Sequence, residues 1–502
     1  MRGKGLISNK VGVLAATILF FGLSLLAHTP LLAATYFVSP SGSDAGLGSS
    51  VDPWFTLQHA ADSVTAGDSV QIRSGTYTGF RASSGGTGGQ PITFMPEEGA
   101  AVLVNAVSVN GKKGSIIEIE GYDWWVLVGL EVTGAPDNAG IDIRVADHVT
   151  VRSCHCHHNQ KWGIFTAFAE YFTAEHNECS YSTEEHGIYH SNSGDNALVQ
   201  HNTCHHNAGC GIQLNADPSM GGDGISSNCT VTHNILYENG AIGGAAINLA
   251  SVRDSLIANN LMYGNHAGGI AAWDDGQGNQ WGSKNNQYYN NTVHMPTDGR
   301  WAINLKNGSS NSKVYNNILI HENPARGGLE IDTSSLSGFA SDHNILARIS
   351  VDETIISLST WQSTYSRDGR SYAETADETF VSPASDYHLL SSARAKDGGT
   401  TLPEVITDLD GTSRPQGVAY DMGAYEYIST AACSECSGDA VVLTGGTFPS
   451  DTICACVGTT SITIAGSVTV QAGATVTFKA PMVIIQNGFH VEDGASVTIK
   501  KQ

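Results

Sequence analysis

The chain has 502 residues, a formal net charge of −23 and only 15% charged residues against 57 glycines. Such acidity excludes nucleic acid as a partner, which requires a basic stripe. The Gly-rich, charge-poor mixture disfavours a helical protein and suits short strands joined by many turns.

Residues 1–34 read as a secretory signal. Arg2, Lys4 and Lys10 precede an apolar run from Val11 to Ala27, and Ala33-Ala34 supply small residues for cleavage. His28 and Pro30 break the run and no basic stop-transfer segment follows, so a secreted or cell-surface protein is expected. Cysteines fall in two groups, Cys154 to Cys229 and Cys433 to Cys456. In an oxidising compartment the second group favours disulfides over metal.

A repeat organises the middle of the chain. Segments such as AEHNECSYS, VQHNTCHHN, VTHNILYEN and IANNLMYGN align on Asn177, Asn202, Asn234, Asn260, Asn291, Asn317 and Asn344. Each is followed by a small residue, an apolar residue and a polar-apolar alternation, as in GIFTAF, GIYHSN, GIQLNA and WAINLK. The pattern describes short strands separated by turns, a unit that buries its apolar face only by stacking on its neighbours every ~4.8 Å. An inward asparagine at each bend can bond the coils above and below.

With these segments the chain resembles secreted right-handed parallel β-helix proteins of the pectate-lyase-like superfamily. Thr35 to Gly79 is similar to their usual N-terminal segment, in which a short helix, here FTLQHAADSV, caps the first coil. The stretch from DYHLL to DMGAYEY resembles a closing segment of the choice-of-anchor type. The resemblance implies an all-β solenoid over residues 35–427 and a polysaccharide groove along a stack of strands. A small β module follows over residues 433–502.

The repeat lets one face be read coil by coil. If Ile188 points inward so does His190, while Tyr189 and Ser191 face solvent. The first outward column then runs Asp142, Phe165, Tyr189, Gln213, Asn248, Ala271, Asn304, Glu330. The second runs Arg144, Ala167, Ser191, Asn215, Ala250, Trp273, Lys306, Asp332. Amides, acids and a few aromatic rings suit sugar hydroxyls and pyranose faces. Tyr189, Asn192, Gln213, Asn215, Asn248, Trp273 and Asn304 are therefore the expected substrate contacts.

The resemblance favours lyase chemistry, which needs a base and positive charge on a uronate carboxylate. Lys306 is the expected base or charge partner, with Arg253 and Lys161 as further cations. Asp217, Asp223, Asp274 and Asp275 are candidates to hold Ca²⁺. The chain lacks the compact aspartate run of calcium-dependent pectate lyases and the paired Lys and Arg motifs of alginate and chondroitin lyases. A glycoside hydrolase would instead use paired carboxylates, with Asp217 and Asp274 as candidates and Glu184 or Glu185 as the acid, and His186 is a further catalytic candidate. A non-catalytic surface β-helix or adhesin is the alternative from another class.

His176, His201, His233 and His343 each precede a ladder asparagine, which makes them a habit of the repeat. His157 and His205 share a column but are separated by Ser180, about 10 Å on coil rise, too far for one zinc ion. Cys156, Cys179 and Cys204 share an inward column, and Cys154 replaces an asparagine of the ladder. The module at 433–502 alternates in SVTVQAGATVTF and GFHVEDGASVTI, and with few aromatics it suits cell-surface or secretion-system attachment. A monomer is expected.

Overall fold

The computed structural model describes residues 33–501, apart from 109, 429–430, 449–452, 472, 487–488 and 493. All but the last two residues of the expected signal lie outside the described residues. No described helix is long and apolar enough to cross a membrane.

The chain is a right-handed parallel β-helix with three long sheets of 12, 10 and 11 strands. A typical coil places Thr173–Glu175 in the first sheet, Glu178–Ser180 in the second and Ile188–Ser191 in the third. Each strand pairs in parallel with its equivalent in the next coil. The capping helix is Leu57–Ser63, with Thr56 as its N-cap and Leu57, Ala60 and Ala61 buried.

Inside the third sheet one column is almost pure isoleucine. Ile117, Ile141, Ile164, Ile188, Ile212, Ile247, Ile270, Ile303, Leu329 and Ile349 are in continuous register and fully buried. Each such side chain contributes about 1.5–3 kcal/mol on burial, and a one-residue slip would expose the whole column.

The expected ladder is present and all seven of its asparagines are buried. Asn234 Oδ1 accepts from the Asn202 backbone N–H at 2.9 Å and from Asn202 Nδ2 at 3.0 Å. Its own Nδ2 donates to the Val199 carbonyl and to Asn260 Oδ1, both at 2.9 Å. Cys154 does occupy the ladder position, and its N–H bonds Asn177 Oδ1 at 3.0 Å. A second ladder, Asn207, Asn239 and Asn265, runs along the next bend in the same way. Its signal was the second asparagine five positions after the first in HNTCHHN, HNILYEN and NNLMYGN.

The histidine habit has a backbone cause. His176, His201, His233 and His343 all have φ between 54° and 56°, a left-handed bend that His and Asn tolerate better than most residues. The first three stack, with centroids 4.8 Å apart at each step. In the later coils Asn259, Asn290 and Asn316 take the same bend. Their amides donate to the carbonyls of Thr407, Asp421 and Thr400. The column thus changes from stacked rings to amides where the closing segment covers it. That segment is locked by a fully buried Arg414–Glu426 pair at 2.6 Å.

Cys156, Cys179 and Cys204 stack inward as free, buried thiols. His190 is inward and buried, held by Thr166 Oγ1 at 2.7 Å and the Gly194 carbonyl at 2.9 Å. Ser191 departs from expectation, because its hydroxyl turns back to the Thr166 carbonyl at 2.8 Å and it is buried. The C-terminal module is a six-stranded sheet, parallel at every pairing. It has its own core around Ile462, Ile464 and Phe478, and a Cys436–Cys456 disulfide.

Two outcomes follow from the buried polar groups. Asn260→Ala orphans the Asn234 N–H and the Val231 carbonyl. At about 1–3 kcal/mol for each buried orphan, it should lower the urea midpoint sharply while leaving the circular dichroism spectrum of the folded protein unchanged. Burial pushes His190 down to about 4, whereas the unfolded side chain titrates near ~6.5. The unfolded state then binds the extra proton, so stability is full above pH ~6.5 and is lost as pH falls toward 4. Thermal melts across that window should show the decline, and His190→Gln, though less stable at neutral pH, should flatten it.

Candidate functional site

The outward columns of the third sheet stack as the repeat predicts. Phe165, Tyr189, Gln213, Asn248, Ala271, Asn304 and Glu330 are successive register partners, as are Ala167, Ser191, Asn215, Ala250 and Trp273. Over them lies a groove of about 510 Å³, lined by His186, Gln213, Asn248, Trp273, Asn304 and Lys306 together with Glu184 and Arg300. A second depression of about 450 Å³ shares Arg300, Asn304 and Lys306 and adds Arg326 and Glu330.

The groove has a simple origin. Three positions before the inward isoleucine, successive coils carry Lys161, Glu185, Gly209, Gly244, Ala267, Arg300 and Arg326. The run of small residues opens a trough between the acidic Glu185 and the basic Arg300. A Cβ on Gly209 would lie 2.6 Å from His186 Nδ1, and one on Gly244 would lie 2.8 Å from Cys210 Sγ.

Within the trough the polar groups hold one another. Trp273 Nε1 donates to Asn248 Oδ1 at 3.1 Å, and Asn248 Nδ2 donates to Gln213 Oε1 at 3.3 Å. Asn215 Nδ2 bonds both the Tyr189 hydroxyl at 3.3 Å and Asp275 Oδ2 at 3.2 Å. Burial pushes the Tyr189 phenol up to about 12. Burial also raises the Asp275 carboxyl, aided by the charges of Asp217 and Asp274 and opposed by the Asn215 bond. The Oδ1 atoms of Asn215 and Asn304 are buried without a hydrogen-bond partner.

A family described as Pel9A-like, right handed beta helix region, matches residues 36–311. The chain belongs to this family. Pectate lyase PEL9 of Emericella nidulans is 29% identical over 120 residues, which are 21% of this chain and 29% of that protein. The YwoF protein of Bacillus subtilis is 38% identical over 100 residues, 20% of this chain and 21% of that protein. The matched stretches thus span less than a third of either relative. The crystal structure of pectate lyase Pel9A superposes with a TM-score of 0.57 at 17% identity, covering 79% of this chain and 96% of that one. That likeness is one of fold.

Within this family fold the expected site residues separate into two groups. Gln213, Asn248, Trp273, Asn304, Lys306 and His186 line the groove, and Tyr189 and Asn215 share its sheet face. Glu185 accepts from Trp162 Nε1 at 2.9 Å and lies 3.6 Å from His186 Nε2. His186 Nδ1 accepts from the Cys210 N–H at 2.9 Å, and burial pushes the ring down to about 4. It is a neutral, anchored ring at physiological pH. Lys306 Nζ pairs with Glu330 at 3.0 Å.

The other group serves the backbone. Asn192 takes a left-handed bend with φ 58°. Asp217 caps a short 3₁₀ turn through the Ser219 N–H, and Asp223 bonds the Ile225 N–H. Asp274 accepts from Gly276, Gly278 and Asn307 Nδ2. Burial raises its carboxyl, but those bonds outweigh burial and hold it below the usual range. Among the described residues, Asp217, Asp223, Asp274 and Asp275 do not bring three carboxylates within 4.8 Å of one another. With so many oxygens engaged locally, this donor set does not fit a Ca²⁺ cage of six to eight oxygens. Arg253 bonds the Gln280 carbonyl, and Lys161 sits over the Trp162 ring; neither lines the groove. Arg300 and Arg326 were missed from sequence, although both share the repeat offset of Glu185.

Proposed function

We propose that the protein is a carbohydrate-active enzyme that cleaves a uronate-bearing polysaccharide by β-elimination in this groove. One observation carries the reading. In a chain of net charge −23, Arg300, Lys306 and Arg326 converge around Asn304 at the junction of the two depressions. Cations gathered in this way on an acidic protein suit a carboxylated sugar.

Arg300 and Arg326 neutralise the uronate carboxylate, which acidifies the proton on the adjacent carbon. Glu330, 3.0 Å from Nζ, takes the ammonium proton of Lys306, and the lysine then accepts the proton from carbon. The electron pair forms a carbon–carbon double bond, the glycosidic C–O bond at the β position breaks, and the proton held by Glu330 passes through water to the leaving oxygen, which restores the Lys306–Glu330 pair. Trp273 offers a ring face to a neighbouring sugar, and Asn304, which lines both depressions, is placed to hydrogen-bond a sugar hydroxyl.

The test is a panel of uronate-containing and neutral polysaccharides, read for new reducing ends and for the ultraviolet absorbance of an unsaturated uronate. Both should rise together on a uronate polymer and persist in chelator. Lys306→Ala should lower kcat by about 10²–10⁴-fold, the usual worth of a general base, whereas Arg300→Ala should act mainly through KM. Reducing ends without the absorbance would instead favour hydrolysis, with Asp275, whose carboxyl is raised, as the acid. Silence on every polymer would favour a non-catalytic surface protein.

A further inference from the structure

The outer face of the second sheet, not the third, carries a separate cluster. Glu131 is the register partner of His155, which is in turn the partner of Glu178. His157 points out two residues further along the same strand as His155. Among the described residues, Glu131, His155 and His157 form the group of potential metal ligands whose donor atoms all lie within 4.8 Å of one another.

The geometry within the cluster is that of a chelate. His157 Nε2 is 3.1 Å from Glu131 Oε1, and His155 Nε2 is 3.4 Å from Glu178 Oε1. A tetrahedral ion with bonds of about 2.0–2.2 Å has ligand–ligand edges of about 3.3–3.6 Å. His157 Nδ1 is engaged on the far side by Thr133 Oγ1 at 3.3 Å and His158 Nδ1 at 2.8 Å. That contact leaves Nε2 as the ligating atom, and an outer hydrogen bond of this kind is how ligand histidines are usually oriented. The ion-pair partners of Glu131 and Glu178 are histidines, with no Lys or Arg among them. One carboxylate and two imidazoles with centroids 4.2 Å apart are mutually satisfied by one divalent cation.

We propose that Glu131, His155 and His157 bind a divalent transition-metal ion of the zinc class, with solvent completing the shell. Imidazole and carboxylate together suit such an ion, while Ca²⁺ and Mg²⁺ prefer oxygen alone. The ion ties two consecutive coils together on a sheet face distinct from the groove, so it acts as a clamp on the early solenoid. A pairing of His157 with His205 does not arise, since His205 bonds Glu178 at 3.1 Å. The site uses neighbours on one strand and one coil away.

The experiment is calorimetric titration of the chelator-stripped full chain with Zn²⁺, with thermal melts and the visible spectrum of the Co²⁺ form. One ion per chain, a melting temperature raised by several degrees and an intense tetrahedral Co²⁺ spectrum are expected. H155Q/H157Q should abolish all three, and E131Q alone should weaken binding at least tenfold. H266Q removes a surface histidine held between Glu238 and Asp298 and should change none of them. Absence of saturable binding overturns the proposal. So does binding that survives H155Q/H157Q, which would place the ion elsewhere, for instance on thiols. E131Q, which alters an exposed side chain alone, keeps the test decisive if the double variant fails to fold.

Discussion

The structure depends on keeping every coil in register with the next, and the buried asparagine ladder enforces that register. Apolar burial alone forbids a one-residue slip, which would turn the isoleucine column outward, but it discriminates poorly against a slip of two, because an isoleucine packs nearly as well on a leucine as on an isoleucine. An amide is less permissive. Asn234 has one carbonyl and one amide group, and all of their bonds are satisfied only when Asn202 and Asn260 lie directly across the coil boundary. Misalignment by a single residue would leave several buried polar groups unpaired, each costing about 1–3 kcal/mol. Hydrophobic burial supplies the driving force, and the ladder supplies the specificity.

Strict register also makes the surface a lattice. Side chains that leave the same face of a strand are about 6.6 Å apart, two residues of rise, and equivalents in adjacent coils are about 4.8 Å apart. A change at one repeat offset is therefore felt at a predictable place. Gly209, Gly244 and Ala267 at one offset make a trough, and Arg300 and Arg326 at the same offset make a basic end to it. Replacing stacked histidines by Asn259, Asn290 and Asn316 at another offset makes a seat for the closing segment.

This lattice explains what was legible in the sequence. Both outward columns on the third sheet, the inward thiols and the Cys154 substitution follow from aligning the repeats, because alternation and register are local properties of short strands. Loop residues were not legible in that way. Asp217, Asp223 and Asp274 resembled a ligand set because they fall at strand ends, but a carboxylate there finds backbone N–H groups within its own turn before it finds a metal. Arg300 and Arg326 escaped notice for the opposite reason. They precede the alternating strand and look like loop residues, yet the register brings them beside Asn304 and Lys306. Ser191 is similar in kind: alternation sends it outward, but a hydroxyl that can bond the preceding coil's carbonyl folds back onto the sheet.

The same lattice separates two kinds of polar cluster that composition alone would confuse. On the third sheet the facing groups are amides that pair with one another, Trp273 to Asn248 to Gln213, leaving individual acceptors unpaired at Asn215 and Asn304. Such a surface is pre-ordered and rich in amides, which suits exchangeable hydroxyl-rich ligands, with an acidic group at one end and basic groups at the other. On the second sheet the facing groups are one carboxylate and two imidazoles whose donor atoms lie within 4.8 Å of one another. A sugar offers no one atom to satisfy that convergence, and a cation does. The difference lies in side-chain length and charge laid on an identical backbone spacing, so one scaffold can carry a groove on one face and an ion clamp on another without either disturbing the ladder beneath.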